Sequence, residues 1–391
     1  GVVHSSNLCT EITLNTSTDE TAVCNLGSIN LANMITSNQQ LDEEKIAKTV
    51  RTGIRMLDNV IDNNFYPTPE SEVANMRHRA IGLGLMGYQD ALYQLNISFD
   101  TEENLEFSDR SMEMISYYAI LASSELSKER GSYETFKGSK WDRGLLPYDT
   151  LQILEDHRGQ ALDLDKSITM DWDYVKSHIK DYGMRNSNTM AIAPTATIAN
   201  IAGAYPCIEP AFKNIYMKEN LSGNFIVIND YLIDRLHDQN LWTPQILKQI
   251  KLHNGSIQEI PEINNDIRNL FKETFDIDMQ WIIRAASRRA KWIDQSASTN
   301  IFINSTSGKY LNDVYSLAWE SGLKTTYYLR SLGATQVMKT ADQESTAVDE
   351  PTDKDKPVIS AESTSMNSST SGDDAEIKMC RLDDPTCEVC Q

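Results

Sequence analysis

Apolar residues recur at helical spacing along several stretches of the chain. Between 45 and 62, Val50, Ile54, Leu57 and Ile61 fall on one face. The same reading predicts helices over 102–129, 171–181, 226–237 and 276–292. In the last of these, Ile277, Trp281, Ile282 and Ala285 form the apolar stripe. Shorter runs predict strands at Asn7–Leu14, Met190–Ala193, Asn300–Ile303 and Thr325–Arg330. Strands alternating with longer helices predict an α-rich α/β chain built from parallel units. Arg284, Arg288 and Lys291 line one side of the 276–292 helix and read as a solvated face. No internal repeat is visible. No apolar run approaches the roughly 18 residues that a membrane span needs, which argues against a membrane role.

Composition changes this picture at one end. Residues 340–391 carry 13 acidic against four basic side chains and 13 Ser or Thr. Such a segment buries too little apolar surface to offset the entropy of ordering it. The whole chain, at net charge -20, offers no basic face for a phosphate backbone, so nucleic acid is not an expected partner. Six cysteines in 391 residues are too few for a disulfide-stapled secreted scaffold, and a reducing, cytoplasmic setting is expected. The chain starts at Gly1 within polar, strand-like sequence and reads as a fragment lacking its N-terminal part.

The candidate chemistry begins near that end. In an extended chain Asn7, Cys9 and Glu11 project to one side and Leu8, Thr10 and Ile12 to the other. One face then presents an amide, a thiol and a carboxylate, a redox-capable sulfur flanked by a hydrogen-bonding group and a base. A half-exposed strand with an incidental cysteine is the plain alternative. Fifteen residues on, Cys24 opens Cys24-Asn-Leu-Gly-Ser-Ile-Asn-Leu31. Ser6-Asn-Leu-Cys-Thr-Glu-Ile12 followed by this segment resembles the finger-loop region of the large (catalytic, α) subunit of class I ribonucleotide reductase. The resemblance implies that Cys9 is the transient thiyl radical that removes the 3′ hydrogen of a ribose. It makes Glu11 the base for the 3′ hydroxyl, Asn7 a substrate hydrogen-bonding group and Cys24 one half of the reducing dithiol. S–H and ribose C–H bonds are similar in strength, so hydrogen exchange between them is nearly balanced.

Met190-Ala-Ile-Ala-Pro-Thr-Ala-Thr-Ile-Ala-Asn200 reads as a short strand, a proline turn with hydroxyls and a helix start. Thr195 or Thr197 is a candidate N-cap, and the free amides of the first turn suit an anion; a plain capped helix is the alternative. The resemblance assigns Pro194, Thr195, Ala196, Thr197 and Ile198 to the substrate diphosphate. Ile198 stands where many members carry another hydroxyl. Gly203-Ala-Tyr-Pro-Cys-Ile-Glu-Pro210 also departs from the family pattern, and Cys207 within it reads as a quiet thiol.

Thr325-Thr-Tyr-Tyr-Leu-Arg330 resembles the family's radical-relay segment, which would make Tyr327 and Tyr328 carriers of an electron and proton to Cys9. By itself a Tyr-Tyr pair is ordinary β-strand composition. Adjacent strand residues face opposite ways, so a shared relay requires a local twist or stacked rings. Asp294-Gln-Ser-Ala-Ser-Thr-Asn300 also matches a family stretch.

The chain ends in Cys380, Cys387 and Cys390. A CxxC cycles between dithiol and disulfide, while a zinc site needs a fourth ligand that has no candidate nearby. Roughly 40 flexible residues span about 35 Å, enough to carry a terminal dithiol into a barrel. The resemblance makes Cys387 and Cys390 the pair that re-reduces the active site; Cys380 has no role. Gly82-Leu-Gly-Leu-Met-Gly87 satisfies GxGxxG, but Asn75–Arg79 before it is no buried strand, so close backbone packing is the better account than a dinucleotide site.

The resemblance therefore implies the C-terminal part of a ten-stranded α/β barrel with a central finger loop, plus a disordered C-terminal tail. Its divisions are the finger loop and second part of the barrel at 1–260, a C-terminal α/β subdomain at 261–338, a disordered acidic linker at 339–379 and a redox-active cysteine tail at 380–391. The implied reaction converts ribonucleoside diphosphates to 2′-deoxyribonucleoside diphosphates. No metal or cofactor is expected on this chain; the radical comes from the metal cofactor of a separate small subunit. The other implied partners are thioredoxin or glutaredoxin and a second large subunit, with ATP and dNTP effectors at upstream sites. The cysteine partner of Cys24 also lies upstream, and the fragment alone is expected to be inactive. A cobalamin-dependent reductase and a non-enzymatic thiol or zinc adaptor are the alternative readings.

Overall fold

The apolar periodicities become helices with defined ends. The computed structural model describes residues 2–206, 208–220 and 223–331. In chain order these form β1 (Asn25–Asn30), α1 (Glu43–Asn63), α2 (Pro69–His78), β2 (Ile81–Met86), α3 (Tyr88–Leu95), α4 (Glu102–Arg130), α5 (Thr150–Arg158), α6 (Trp172–Tyr182) and α7 (Ala196–Ala202). There follow β3 (Ile215–Asn220), β4 (Gly223–Ile228), α8 (Asp230–Asp238), α9 (Pro244–Leu252), α10 (Asn265–Leu270), α11 (Met279–Ala290), β5 (Ile301–Ile303), α12 (Gly308–Glu320) and β6 (Leu329–Ser331). Caps set the boundaries: Asp42 accepts from the Lys45 amide ahead of α1, and Thr101 from the Asn104 amide ahead of α4. The acidic linker from 339, the cysteine tail and Cys207 lie outside the described residues.

The sheet is parallel. β1 pairs with β2 from Asn25↔Ile81 to Asn30↔Met86. Leu83 bridges Met190, Ile192 bridges Ala297, and β5 pairs with β6, all in parallel. Five adjacent parallel segments result, at 25–30, 81–86, 190–192, 296–303 and 327–331. Helices α1, α4, α6 and α11 cover this sheet through one apolar core that includes Val50, Ile54, Leu85, Ile120, Val175 and Ile283. Trp172 and Trp292 stack within it at 5.5 Å. A second apolar cluster gathers Tyr93 with residues from Ala211 to Phe271.

The glycine-rich stretch is β2 itself, and the packing reading fits it. A Cβ on Gly84 would stand 2.5 Å from the Ala191 carbonyl oxygen, and one on Gly82 2.8 Å from Ala191 Cβ and 3.2 Å from Cys24 Sγ. The neighbouring segment at 190–192 approaches only because these positions are bare. Asn75–Arg79 ahead of it closes α2.

Besides the strand expected at Thr325–Arg330, of which only Leu329 and Arg330 are strand, three expectations need correction. Residues 226–228 belong to β4, which pairs antiparallel with β3, so the helix begins only at Asp230; the β-branched run Ile226-Val227-Ile228 favours strand. Asn7–Leu14 is not a strand. Nor are Arg288 and Lys291 a solvated face: Lys291 is buried, with Nζ 2.8 Å from Asp109, and Arg288 pairs with Asp109 at 3.2 Å and Asp165 at 2.7 Å. Carboxylates on α4 and on the segment before α6 meet that side of α11, which no one-dimensional pattern reveals. Arg284 is exposed as expected.

One buried carboxyl makes the unit's stability depend on pH. Glu273 is 6% exposed, and burial pushes its carboxyl up to about 7, opposed by the Asn214 amide at 2.7 Å and by Lys213 at 4.0 Å. A carboxyl whose value is raised by folding binds its proton more tightly in the native state. The native state is therefore penalised above pH 7, and the penalty is relieved as pH falls toward 4.5, by up to ~3 kcal/mol. Glu273→Gln keeps an oxygen for the Asn214 amide and removes the charge. Its thermal midpoint should exceed the parent's at pH 8, and most of that difference should be gone at pH 5; equal midpoints at pH 8 would contradict the assignment.

Candidate functional site

Residues 8–10 form a tight turn. The Thr10 amide donates to the Asn7 carbonyl at 3.1 Å, and Thr10 takes a left-handed φ of 65°, a conformation that β-branched residues rarely adopt. This reversal folds Asn7 onto Glu11: Asn7 Nδ2 donates to Glu11 Oε2 at 2.9 Å, and the Ile12 amide donates to Asn7 Oδ1 at 3.2 Å. Asn7 and Glu11 thus meet because the chain turns. In an extended strand the two would stand about 13 Å apart.

Cys9 projects from the turn, and its thiol donates to the Tyr327 hydroxyl at 3.3 Å. The rings of Tyr327 and Tyr328 stack with centroids 3.9 Å apart and planes at 27°. The stacking that a shared relay requires is present because residues 325–328 are an irregular lead-in to β6. Burial holds the Tyr327 phenol well above the ordinary tyrosine value, and its hydrogen bonds with Cys9 and Tyr328 act in the same direction. The Arg330 guanidinium lies 5.4 Å from the Tyr328 ring centre.

The turn hangs on two segments that follow each other in the sheet. From the first, the Ser296 amide donates to the Glu11 carbonyl at 3.0 Å, and Ser298 Oγ lies 2.6 Å from the Cys9 carbonyl and 3.1 Å from Glu11 Oε2. From the second, Thr325 Oγ1 donates to the Thr10 carbonyl at 2.9 Å, and Thr10 Oγ1 donates to the Thr326 carbonyl at 3.0 Å. The Tyr327 amide in turn donates to the Thr299 carbonyl at 2.7 Å. The reading of single residues missed Ser296, Ser298, Thr325 and Thr10. For Ser296 and Ser298 the signal was the alternation of hydroxyls in Gln295-Ser-Ala-Ser-Thr-Asn300, although nothing in it names their partners.

Cys24 enters the same neighbourhood from the start of β1. Gln295 Nε2 donates to its sulfur at 3.3 Å and to the Ile81 carbonyl at 3.0 Å. The residue keeps some surface, but its sulfur is desolvated, and burial pushes the thiol up to about 12. The Gln295 amide opposes this shift, while the charges of Asp294 and Glu11 add to it. Cys24 therefore stays protonated at neutral pH.

The Pro194 turn follows the 190–192 segment, at the carboxyl end of a parallel strand, where open α/β sheets bind ligands. The Ile192 carbonyl accepts from the Ser298 amide at 2.9 Å, so this turn springs from the segment beside Ser298. Thr195 takes the N-cap position of α7 with a left-handed φ of 57°, but its side chain does not cap the first turn. Thr197 and Ile198 are exposed. A separate cavity of about 580 Å³ includes Asn15, Glu20, His78, Asn188 and Lys324 in its wall. Its charged groups largely satisfy one another: Glu20 pairs with Arg77 and His78, and Lys324 Nζ donates to the carbonyls of Ile293, Asp294 and Gln295. No helix among the described residues is long and apolar enough to cross a membrane.

The state of Cys24 gives a direct check. Iodoacetamide reacts with thiolate, so Cys24 in the folded chain should resist alkylation at pH 8 and react once the chain is unfolded. Rapid alkylation of Cys24 in the native state, read by peptide mass, would contradict a desolvated thiol.

The family described as "Ribonucleotide reductase, barrel domain" matches residues 1–329. The chain is 55% identical over 340 residues to the ribonucleoside-diphosphate reductase subunit alpha of Chlamydia pneumoniae, covering 87% of this chain and 32% of that one. It is 38% identical over 347 residues to the ribonucleoside-diphosphate reductase large chain of Neurospora crassa, covering 88% and 36%. Among solved structures, the class Id ribonucleotide reductase alpha subunit of Actinobacillus ureae superposes with a TM-score of 0.66 at 29% identity, over 85% of this chain and 54% of that one. The chain spans about a third of the length of the curated relatives it matches. With a run of parallel strands beneath a turn that carries its cysteine, and a family match through residue 329, the chain belongs to the ribonucleotide reductase barrel-domain family.

Proposed function

We propose that this chain forms part of the large subunit of a class I ribonucleoside-diphosphate reductase and holds the thiol that starts reduction of the ribose. The observation that carries this reading is the 3.3 Å contact between the Cys9 thiol and a stacked pair of tyrosines, on a turn that also presents Asn7 and Glu11. Tyr328 and Tyr327 pass an oxidising equivalent to Cys9, whose hydrogen leaves with the electron. The Cys9 thiyl takes the 3′ hydrogen of the substrate. Glu11 accepts the 3′ hydroxyl proton, with Asn7 holding the carboxylate and hydrogen-bonding the sugar. The 2′ hydroxyl leaves as water, carrying a proton from the dithiol to which Cys24 belongs. That dithiol supplies two electrons and closes to a disulfide, and Cys9 returns its hydrogen to C3′. The net change is ribonucleotide plus dithiol to deoxyribonucleotide, disulfide and water. A neutral Cys24 thiol suits a donor of hydrogen better than a thiolate does.

In this reading Pro194, Thr195, Ala196, Thr197 and Ile198 receive the substrate diphosphate, with amides of the turn as donors. The oxidising equivalent comes from the metal-containing small subunit, and the chain itself needs no bound metal. Cys387 and Cys390 return electrons from thioredoxin or glutaredoxin to the Cys24 dithiol. A second large subunit completes a homodimer whose upstream sites bind ATP and dNTP effectors. The product feeds DNA synthesis in the cytoplasm.

The test is CDP reduction by the assembled enzyme, with this chain as part of its large subunit and with small subunit and thioredoxin present. Cys9→Ser and Tyr327→Phe should each lower turnover at least ~10³-fold while leaving the thermal midpoint unchanged. Full activity of Tyr327→Phe with adenosylcobalamin and no small subunit would instead support the cobalamin-dependent reading.

A further inference from the structure

We infer that Ser298 is a positioning residue that couples the protonation of Glu11 to the backbone carrying Cys9; this rests on the function proposed above. The argument is a count of protons. Ser298 is 2% exposed, and its Oγ stands 2.6 Å from the Cys9 carbonyl and 3.1 Å from Glu11 Oε2. A serine hydroxyl has one hydrogen to donate and lone pairs to accept with. Both neighbours are acceptors while Glu11 is a carboxylate, so one hydrogen is shared between them. Asn7 Nδ2 meanwhile supplies Oε2 with a second donor at 2.9 Å.

Once Glu11 takes the proton of the substrate 3′ hydroxyl, the balance changes. A neutral carboxyl is a weaker acceptor than a carboxylate, so Oε2 loses its hold on the Ser298 hydrogen. The Ser298 hydrogen is then committed entirely to the Cys9 carbonyl, the shorter of its two contacts. Proton arrival at the base therefore tightens the Cys9 turn while the sulfur awaits the return of its hydrogen. The turn needs that tie. Its Thr10 is held left-handed, and further ties reach the Thr10 hydroxyl and carbonyl, the Glu11 carbonyl and, through Tyr327, the Cys9 sulfur, while Ser298 holds the Cys9 carbonyl. The Ser298 amide bonds the Ile192 carbonyl at 2.9 Å, so the side chain is anchored through the neighbouring 190–192 segment rather than on the loop it holds.

The experiment compares the assembled enzyme with its Ser298→Ala and Ser298→Thr variants in CDP reduction. Ser298→Ala should lower kcat by about 10- to 100-fold with KM for CDP within about twofold, because the hydroxyl acts on the reacting turn and not on the diphosphate. Its thermal midpoint and the resistance of Cys24 to alkylation at pH 8 should match the parent. Ser298→Thr, which keeps the donor, should recover at least half the lost rate; if its extra methyl prevents folding, the kcat-against-KM split of Ser298→Ala decides alone. Parent-like kcat in Ser298→Ala, or a rise in KM at constant kcat, overturns the inference and leaves the proposed function standing. Absence of turnover in the unmodified enzyme overturns both.

Discussion

The site depends on a short loop being held against a sheet by hydroxyl groups. A turn with a threonine at positive φ costs on the order of 1–3 kcal/mol and persists only where its surroundings over-determine it. Here they do. Thr10 is gripped through its own hydroxyl and its carbonyl by Thr326 and Thr325, and the residues on either side are gripped by Ser296 and Ser298. All four partners belong to the segments at 296–303 and 325–331, which pair in parallel at Ile301–Ile303 and Leu329–Ser331 and are joined ahead of that ladder by the Tyr327 amide on the Thr299 carbonyl. The geometry of Cys9 is thus set by a rigid element, although the cysteine itself sits on a loop.

The same sheet explains why distant parts of the sequence converge. Cys24 immediately precedes β1, Gln295 lies on the segment that carries Ser298 into β5, and Gln295 touches both the Cys24 sulfur and β2 at Ile81. The bare edge of β2 at Gly82 and Gly84 lets the segment bearing the Pro194 turn approach closely. A side chain at either glycine would meet Ala191 and push that segment away from β2. Glycine is needed here for space between strands, and the resemblance of the stretch to a nucleotide-binding fingerprint is incidental.

Much of this was legible in the sequence, and the failures have physical causes. Helices α1, α4, α6 and α11 followed from their apolar stripes, because a long amphipathic repeat has few competing readings. β1 and β2 escaped notice because Asn25-Leu-Gly-Ser-Ile-Asn30 and Ile81-Gly-Leu-Gly-Leu-Met86 contain glycines that weaken strand signals yet permit tight packing. Asn7, Cys9 and Glu11 stood out as a chemical group, but alternation gave the wrong reason for their meeting. Periodicity describes regular backbone, and Thr10 breaks it with one dihedral angle fixed by residues roughly 290 to 316 positions away in sequence, as the ties to Ser298, Thr325 and Thr326 span. Lys291 failed similarly: a cation on a helix face is solvated only if no carboxylate arrives from elsewhere, and Asp109 does.

Burial also decides what chemistry the sulfur and phenol groups can support. Desolvation penalises thiolate and phenolate, so Cys24 and Tyr327 each keep a hydrogen at neutral pH. A group that cannot afford a charge cannot lose a proton alone, and for the same reason cannot lose an electron alone. Each is left with movement of both together, which transfers a hydrogen atom or its equivalent and creates no buried ion. Glu11 differs in kind, an acid–base group met by Asn7 and Ser298 as donors. One ionisable base among neutral hydrogen carriers is a division of labour that suits radical chemistry on a sugar. In the reaction proposed above, the carriers would move hydrogen without building charge, and Glu11 alone would take a proton from the substrate.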